Sequence, residues 1–239
     1  MIKSWITQWR GNRVALAPSK PFYAIGDIHG RFDLLTRLMD QLDPDIPVIC
    51  VGDYVDRGEA SAEVLRFLLE RPDILCLKGN HEDMLLGFLD NPKRNGSQWL
   101  RYGGLQTLAS FGVSGVTETA PEDDLKHASD ALEAAMGAEL ISWLRALPMR
   151  HQSGNIFVCH AGADPHTALD DQQDRHMLWG HPEFAKKARS DGTWVLHGHT
   201  IVESPTVQNT RISIDTGAFA TGILTAALVQ PGGVEFISA

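Results

Sequence analysis

The sequence predicts an α/β fold in which short buried strands deliver polar side chains to one edge of a sheet. Three observations carry that expectation. Six apolar runs recur, at 22–25, 48–51, 74–77, 156–159, 194–196 and 211–214, each ending in polar or small residues. Runs this short, rich in Ile and Val and bounded by turn residues, suit central strands rather than helices. Helix-period segments alternate with the first three, so the order strand–helix–strand–helix–strand implies parallel, right-handed connections through residue 80. Ligands of such sheets gather where the strands end.

The elements follow in order. Over 31–42, Leu35, Leu38, Met39 and Leu42 keep the i, i+3, i+4, i+7 spacing of one buried helix face. Over 61–71, Val64, Leu65, Leu68 and Leu69 do the same, with Ser61 the expected N-cap and Pro72 the stop. A shorter helix is expected over 82–89. The stretch 91–148 differs: it carries helical patterns at 98–111, 125–136 and 138–147 but no strand followed by a motif. It reads as a helical insertion or cap within a single domain spanning 1–239. Its acidic residues (Glu118, Glu122, Asp123, Asp124, Asp130 and Glu133) read as a solvated face. From 206 to 236, short β-like runs with Gly turns suggest closing antiparallel strands.

A chain of 239 residues that is 43% apolar and 21% charged is ordinary for one globular domain. The net charge of −9 and pI of about 5.5, with no basic run, argue against nucleic acid or an anionic membrane as partner. Residues 1–20 contain no apolar stretch that reads as a secretion signal, and no later one is long enough to span a bilayer. Cys50, Cys76 and Cys159 lie inside apolar runs, as small buried hydrophobes rather than a disulfide framework, so the cytoplasm is the expected location.

The chemistry sits in three strings: GDIHG at 26–30, GDYVDRG at 52–58 and GNHE at 79–82. Asp27 and His29 are two apart, so in an extended segment both point to one side and can reach a common metal. Asp53 follows Asp27 by 26 residues and Asn80 follows Asp53 by 27, gaps that suit a strand, a helix and a return to the same edge. The two oxygens of a carboxylate such as Asp53 can bridge two cations. Asp and Asn oxygens with His nitrogens suit borderline divalent metals, whereas an all-sulfur site needs Cys. Arg57 adds a planar fork for phosphate oxygens. Together they point to attack on a phosphate ester assisted by two ions about 3.5–4 Å apart.

In this order and spacing the three strings resemble the phosphoprotein phosphatase family of calcineurin-like metallophosphatases. HAG at 160–162, HGHT at 197–200 and IDTG at 214–217 resemble the later motifs of its bacterial members. The resemblance implies the calcineurin-like fold, a central β-sandwich of two mixed sheets flanked by helices. It implies that Asp27 and His29 hold one metal, that Asp53 bridges, and that Asn80, His160 and His199 hold the other. His81 would be the general acid, with Asp56 orienting it and raising its basicity, and Arg57 would grip the phosphoryl oxygens. Two divalent ions are implied, with manganese expected and iron or zinc compatible with the donor set.

Other residues are less determined. His197 shares a strand face with His199, so spacing leaves either as the ligand, and only the resemblance selects His199. Asp215 reads as a turn former or support, and His151, His166 and His176 as surface residues. Many phosphodiesterases of the wider superfamily resemble GHxH at the last motif, whereas Ile201 stands there in this chain, which favours the phosphoprotein phosphatase branch. Related bacterial proteins often place a second phosphate-binding Arg shortly after a Leu-Trp pair. Here Gly180 and His181 follow Leu178-Trp179, leaving His181, Lys186, Lys187 and Arg189 as candidates.

The leading expectation is therefore a metal-dependent phosphatase acting on phosphomonoesters, as a serine/threonine protein phosphatase, by direct attack of a metal-bridging hydroxide. Its substrate would be a phosphorylated protein or a small phosphoester. The alternative is a dinucleoside polyphosphate hydrolase of the diadenosine tetraphosphate type, which cleaves an anhydride. An inactive binding module is less favoured, because both ligand sets and the His81–Asp56 pair are present.

Overall fold

Two mixed sheets face each other across the centre of the protein. The computed structural model describes residues 14–239 and, for Trp5–Ile6, the backbone pairing alone. The strands in chain order are β1 (Trp5–Ile6), β2 (Phe22–Ile25), β3 (Val48–Cys50), β4 (Ile74–Cys76), β5 (Arg150–Ser153), β6 (Ile156–Cys159), β7 (Trp194–His197), β8 (Thr206–Gln208), β9 (Arg211–Ser213), β10 (Thr225–Gln230) and β11 (Gly233–Ser238). One sheet has the order β1-β11-β10-β2-β3-β4 and the other β5-β6-β7-β9-β8. This is the calcineurin-like arrangement expected from the motifs.

Each sheet has a parallel centre and antiparallel margins. In the first, Ile25, Cys50 and Cys76 lie side by side, so the three motifs leave neighbouring strands in register. In the second, Val158, Leu196 and Ile212 align, which sets the segments after β6 and β7 side by side. Alternate residues of each strand face opposite ways. Phe22, Ala24, Ile49 and Val51 pack between the sheets against Ile156, Val158, Leu196 and Ile212. Tyr23, Ile25 and Cys50 pack instead beneath helices α1 (Phe32–Met39) and α2 (Ser61–Leu69), against Leu34, Leu35, Leu38, Val64 and Leu65. Both faces are covered, which is why these strands read as unbroken apolar runs. All three cysteines are buried and free.

Several expectations shift. Ser61 is the first helical residue rather than the cap, and its hydroxyl accepts the Asp56 N–H at 3.1 Å. Helix α3 (Asn80–Asp90) starts two residues before the expected 82, so Asn80 and His81 form its first turn. The helix expected over 98–111 is divided into α4 (Pro92–Trp99), a π-turn (Leu100–Gly104) and α5 (Leu105–Ser110). Gly103, at φ 107°, causes the division. Helix α6 (Glu122–Ala146) is interrupted at Gly137, where the two separate patterns met. No apolar run marks β5, whose Arg-His-Gln-Ser composition is that of a polar edge strand. Two short helices, α7 (Asp174–Trp179) and α8 (Ala218–Thr221), were also unexpected. Among the described residues no helix is long and apolar enough to cross a membrane.

Candidate metal centre

All nine residues singled out by the motifs converge where the two sheets' parallel strands end. Of the seven described non-glycine residues with positive φ, five lie here: His29 (44°), Asp53 (54°), Asp56 (70°), Arg57 (69°) and His199 (62°). Backbone strain of this kind persists only where surrounding bonds over-determine it. Glu82 supplies many of those bonds. Its buried carboxylate accepts N–H groups from Asp53 (2.8 Å), Tyr54 (2.7 Å) and Gly79 (2.9 Å), tying the second motif to the third. Glu82 belongs to the GNHE string, yet nothing in its spacing marks it as a partner of the second motif. A fully buried acid beside backbone amides becomes visible only once the loops are placed.

Asp53 stands at the middle. Ligand atoms of His29, Asp53 and His81 lie within 4.8 Å of one another, as do those of Asp53, His160 and His199. His29 Nε2 is 3.5 Å from Asp53 Oδ2, and His160 Nε2 is 3.4 Å from Asp53 Oδ1. Asn80 Oδ1 lies 2.8 Å from His160 Nε2 and 2.9 Å from His199 Nδ1. Asp27 accepts the His199 backbone N–H with both oxygens, at 3.1 and 3.0 Å. A β-carbon at Gly198 would strike Asp27 Oδ1, so only glycine allows this approach. Both nitrogens of His197 are engaged elsewhere, with the Gly198 carbonyl (3.0 Å) and the Ser213 hydroxyl (2.9 Å). The structure thus turns His199, and not His197, toward Asn80.

The donor set fits divalent metal. His29 donates its Nδ1–H to the Val55 carbonyl (2.7 Å) and His160 its Nδ1–H to the Val51 carbonyl (3.1 Å), which leaves each Nε2 lone pair facing the centre. His160 Nε2 and Asn80 Oδ1 are then two acceptors 2.8 Å apart, an arrangement that a shared cation stabilises and its absence does not. Burial pushes both imidazoles well below their usual range and keeps them neutral. Burial, then the charge of Asp215, pushes Asp27 well up, and burial, then the charge of Glu82, does the same to Asp53. Carboxylates this crowded need positive charge beside them to ionise cheaply.

His81 and Asp56 form a short pair, with His81 Nδ1 at 2.6 Å from Asp56 Oδ2. Burial, then the Arg57 charge, pushes His81 down to about 3, and burial pushes Asp56 up to about 7. Desolvation of the charged form is the largest cause of both shifts. Trp99 Nε1 and the Thr107 hydroxyl donate to the same carboxylate, and neither was anticipated. Arg57 donates from Nη1 to His29 Nε2 (3.2 Å) and rests its guanidinium over the Phe219 ring, 4.7 Å from the centroid.

The second phosphate-binding candidates fare differently. Arg189 is spent on Asp191 and on the Asp164 and Thr167 carbonyls. Lys187 pairs with Glu183 at 2.9 Å, and Lys186 is exposed. His181 turns toward Asp164 and the His176 ring. His176, expected at the surface, is buried, because α7 presses it against the segment after β6.

Residues 20–203 match the family model described as calcineurin-like phosphoesterase. The chain belongs to that family. It is a metal-dependent phosphoric ester hydrolase, and the crowded Asp–His centre is its candidate metal site. Among curated relatives, a bis(5'-nucleosyl)-tetraphosphatase PrpE (asymmetrical) of Bacillus velezensis is 28% identical over 84% of this chain and 86% of its own length. A symmetrical bis(5'-nucleosyl)-tetraphosphatase of Aromatoleum aromaticum is 37% identical over 60% of this chain, which spans only 44% of that protein. A solved structure provisionally described as a diadenosine tetraphosphatase superposes with a TM-score of 0.64 at 20% identity, covering 92% of this chain and 94% of that one. At that identity the last likeness speaks for the calcineurin-like fold alone. The calcineurin-like kinship expected from the motifs is shown, and these two curated relatives carry tetraphosphatase rather than protein phosphatase names.

Proposed function

We propose that this calcineurin-like phosphoesterase hydrolyses a phosphoanhydride bond of dinucleoside polyphosphates, which was the alternative reading of the sequence. The observation that carries it is the likeness, over 84% of the chain, to a relative named as an asymmetrical tetraphosphatase. Two side chains support it. Tyr102 and Trp179 are 46% and 41% exposed, and their rings lie 6.5 Å from those of His81 and His199. Two exposed aromatic rings beside a phosphate-binding centre suit a substrate with a base at each end, since base stacking contributes about 1–3 kcal/mol per base.

In this reading Asp27, His29 and Asp53 hold one ion, and Asp53, Asn80, His160 and His199 the second; manganese, iron and zinc all suit the set. Such ions supply Lewis acidity, neutralising phosphoryl oxygens and acidifying water. Arg57 rests over the Phe219 ring; with His29 Nε2 given to the ion, its planar fork would turn to the non-bridging phosphoryl oxygens. Asp56 holds His81 by its Nδ1, so the other ring nitrogen, Nε2, faces the centre and would give its proton to the leaving oxygen. No covalent phosphoenzyme is invoked. The buried free thiols accord with a cytoplasmic setting, which is part of the same proposal.

The test is product analysis with diadenosine tetraphosphate and a phosphothreonine peptide, each with added manganese. The proposal expects the nucleotide to be cleaved to mono- and triphosphate far faster than the peptide is dephosphorylated. Equal or greater efficiency on the peptide would return the reading to a protein phosphatase.

A further inference from the structure

A second imidazole–carboxylate cluster lies apart from the Asp53 centre. A ring nitrogen of His176, one of His181 and a carboxylate oxygen of Asp164 all fall within 4.8 Å of one another. Asp164 stands on the loop four residues after His160, His176 lies in α7, and His181 follows the helix. The Ala161 N–H donates to the Met177 carbonyl at 2.7 Å and fastens loop to helix.

His176 is only 8% exposed, and its Nδ1 is buried with no hydrogen-bond partner. No other buried side-chain nitrogen or oxygen among the described residues is left so. Buried polar atoms are rarely orphaned, and an unmatched one needs an explanation such as an ion. Beside a carboxylate and a second imidazole, a bound cation is the partner this ring lacks.

The carboxylate is held in advance. Asp164 Oδ1 accepts the His166 N–H (2.9 Å) and Oδ2 the Thr167 hydroxyl (2.8 Å), bonds that favour its ionised form. Gln172 accepts the Asp164 N–H at 2.7 Å and donates to the Asp164 and Thr167 carbonyls, which Arg189 also engages. His181 Nε2 lies 3.9 Å from Asp164 Oδ2, and its ring meets that of His176 edge to face, 4.7 Å between centroids. Its Nδ1 accepts the Glu183 N–H at 3.2 Å. A cation on Nε2 places the ring proton on Nδ1, so this long contact gives way on binding.

We propose that Asp164, His176 and His181 form a third divalent-metal site, additional to the pair of ions at Asp53. Two imidazoles and one carboxylate suit zinc, cobalt, nickel or manganese, and disfavour magnesium and calcium, which prefer all-oxygen sets. The Asp164 and His181 side chains are 18% and 19% exposed, so water reaches the site and completes the coordination. An ion there would clamp the loop after β6, which carries Asp164, to helix α7 and the turn that follows it.

The experiment counts metal. Chelator-stripped protein is titrated with zinc, freed of excess by gel filtration and assayed by mass spectrometry. The wild type is expected to retain three equivalents per chain, and His176→Gln and Asp164→Asn two each. In the wild type, the ring nitrogen resonances of His176 and His181 are expected to shift as the third equivalent enters. Equal stoichiometry in all three proteins, or unmoved His176 and His181 resonances, overturns the proposal. Should His176→Gln fail to fold, Asp164→Asn and the wild-type resonances still decide.

Discussion

The indole N–H of Trp99 donates to both carboxylate oxygens of Asp56, at 3.1 and 3.0 Å, across 43 residues of chain. The helical stretch after the third motif thereby reaches into the centre and orients the carboxylate that holds His81. Phe88 stacks on the other side of the indole at 4.6 Å between centroids, so the donor is fixed by packing.

Trp99→Phe keeps the packing and removes the donor. It is expected to lower kcat about tenfold, equivalent to about 1.4 kcal/mol, with KM nearly unchanged. It should also move the pH dependence of kcat, because the bond helps to keep Asp56 from rising further. Steady-state rates across pH check both.

His81→Asn removes the proton donor while leaving the ion ligands. General acid catalysis is typically worth about 10²–10⁴-fold, and most when the leaving group is basic. The loss should approach the upper value with an alkyl phosphate and fall toward the lower one with a polyphosphate or p-nitrophenyl phosphate. Comparing kcat across those leaving groups gives the answer.

The metal-free protein should grow less stable as pH rises from about 7 to 8, above the range in which the buried neutral histidines His29, His81 and His160 act with the opposite sign. Glu82 is pushed up to about 7 in the folded state, chiefly by burial, so the folded chain binds more protons than the unfolded one above pH 4.5. Stability tied to that proton is present below the unfolded value and lost as pH climbs through about 7. Asp27 and Asp53 shift in the same direction. Divalent ions offset the repulsion, so the rise in Tm on adding manganese should be larger at pH 8 than at pH 7. Melting curves with chelator and with manganese test this.

Gly103→Ala should weaken substrate binding. The residue sits at φ 107°, and an added β-carbon would stand 2.6 Å from the Arg57 nitrogen. Strain of this kind costs about 1–2 kcal/mol per residue. Because the Gly103 carbonyl accepts the Arg57 N–H (3.2 Å), the displacement passes to the guanidinium and should raise KM several-fold. Kinetics with Gly103→Ala beside Arg57→Ala checks the link.

The cysteines should be inert in the native protein. Burial pushes the Cys159 thiol up to about 12, and Cys50 and Cys76 are buried too. Iodoacetamide at pH 8 is expected to label none of the three until the chain is unfolded, as read by mass spectrometry.

Much of the site was legible because its residues follow strands directly. Asp27, Asp53 and Asn80 could be aligned from apolar runs and spacing, since parallel strands in register bring their exits together. Glu82, Trp99 and Thr107 were not legible as partners. Their importance lies in hydrogen bonds to Asp53, Tyr54 and Asp56 that cross loops and helices of unrelated sequence pattern. The helix over 92–99 was missed for another reason: Gly96, Asn95 and Ser97 are weak helix formers, and packing against α3 overrides their propensity.

By itself the order of residues determined the strand exits, the oxygen and nitrogen donor set, and hence a phosphoesterase of this family. Periodicity and composition are local, and they survive in the unfolded chain. Tertiary structure alone decided that both nitrogens of His197 are engaged away from Asn80, that His81 and Asp56 are buried as a close pair, and that His176 is buried beside Asp164. Those outcomes depend on desolvation and on distances between segments far apart in sequence, quantities that exist only once the two sheets have closed.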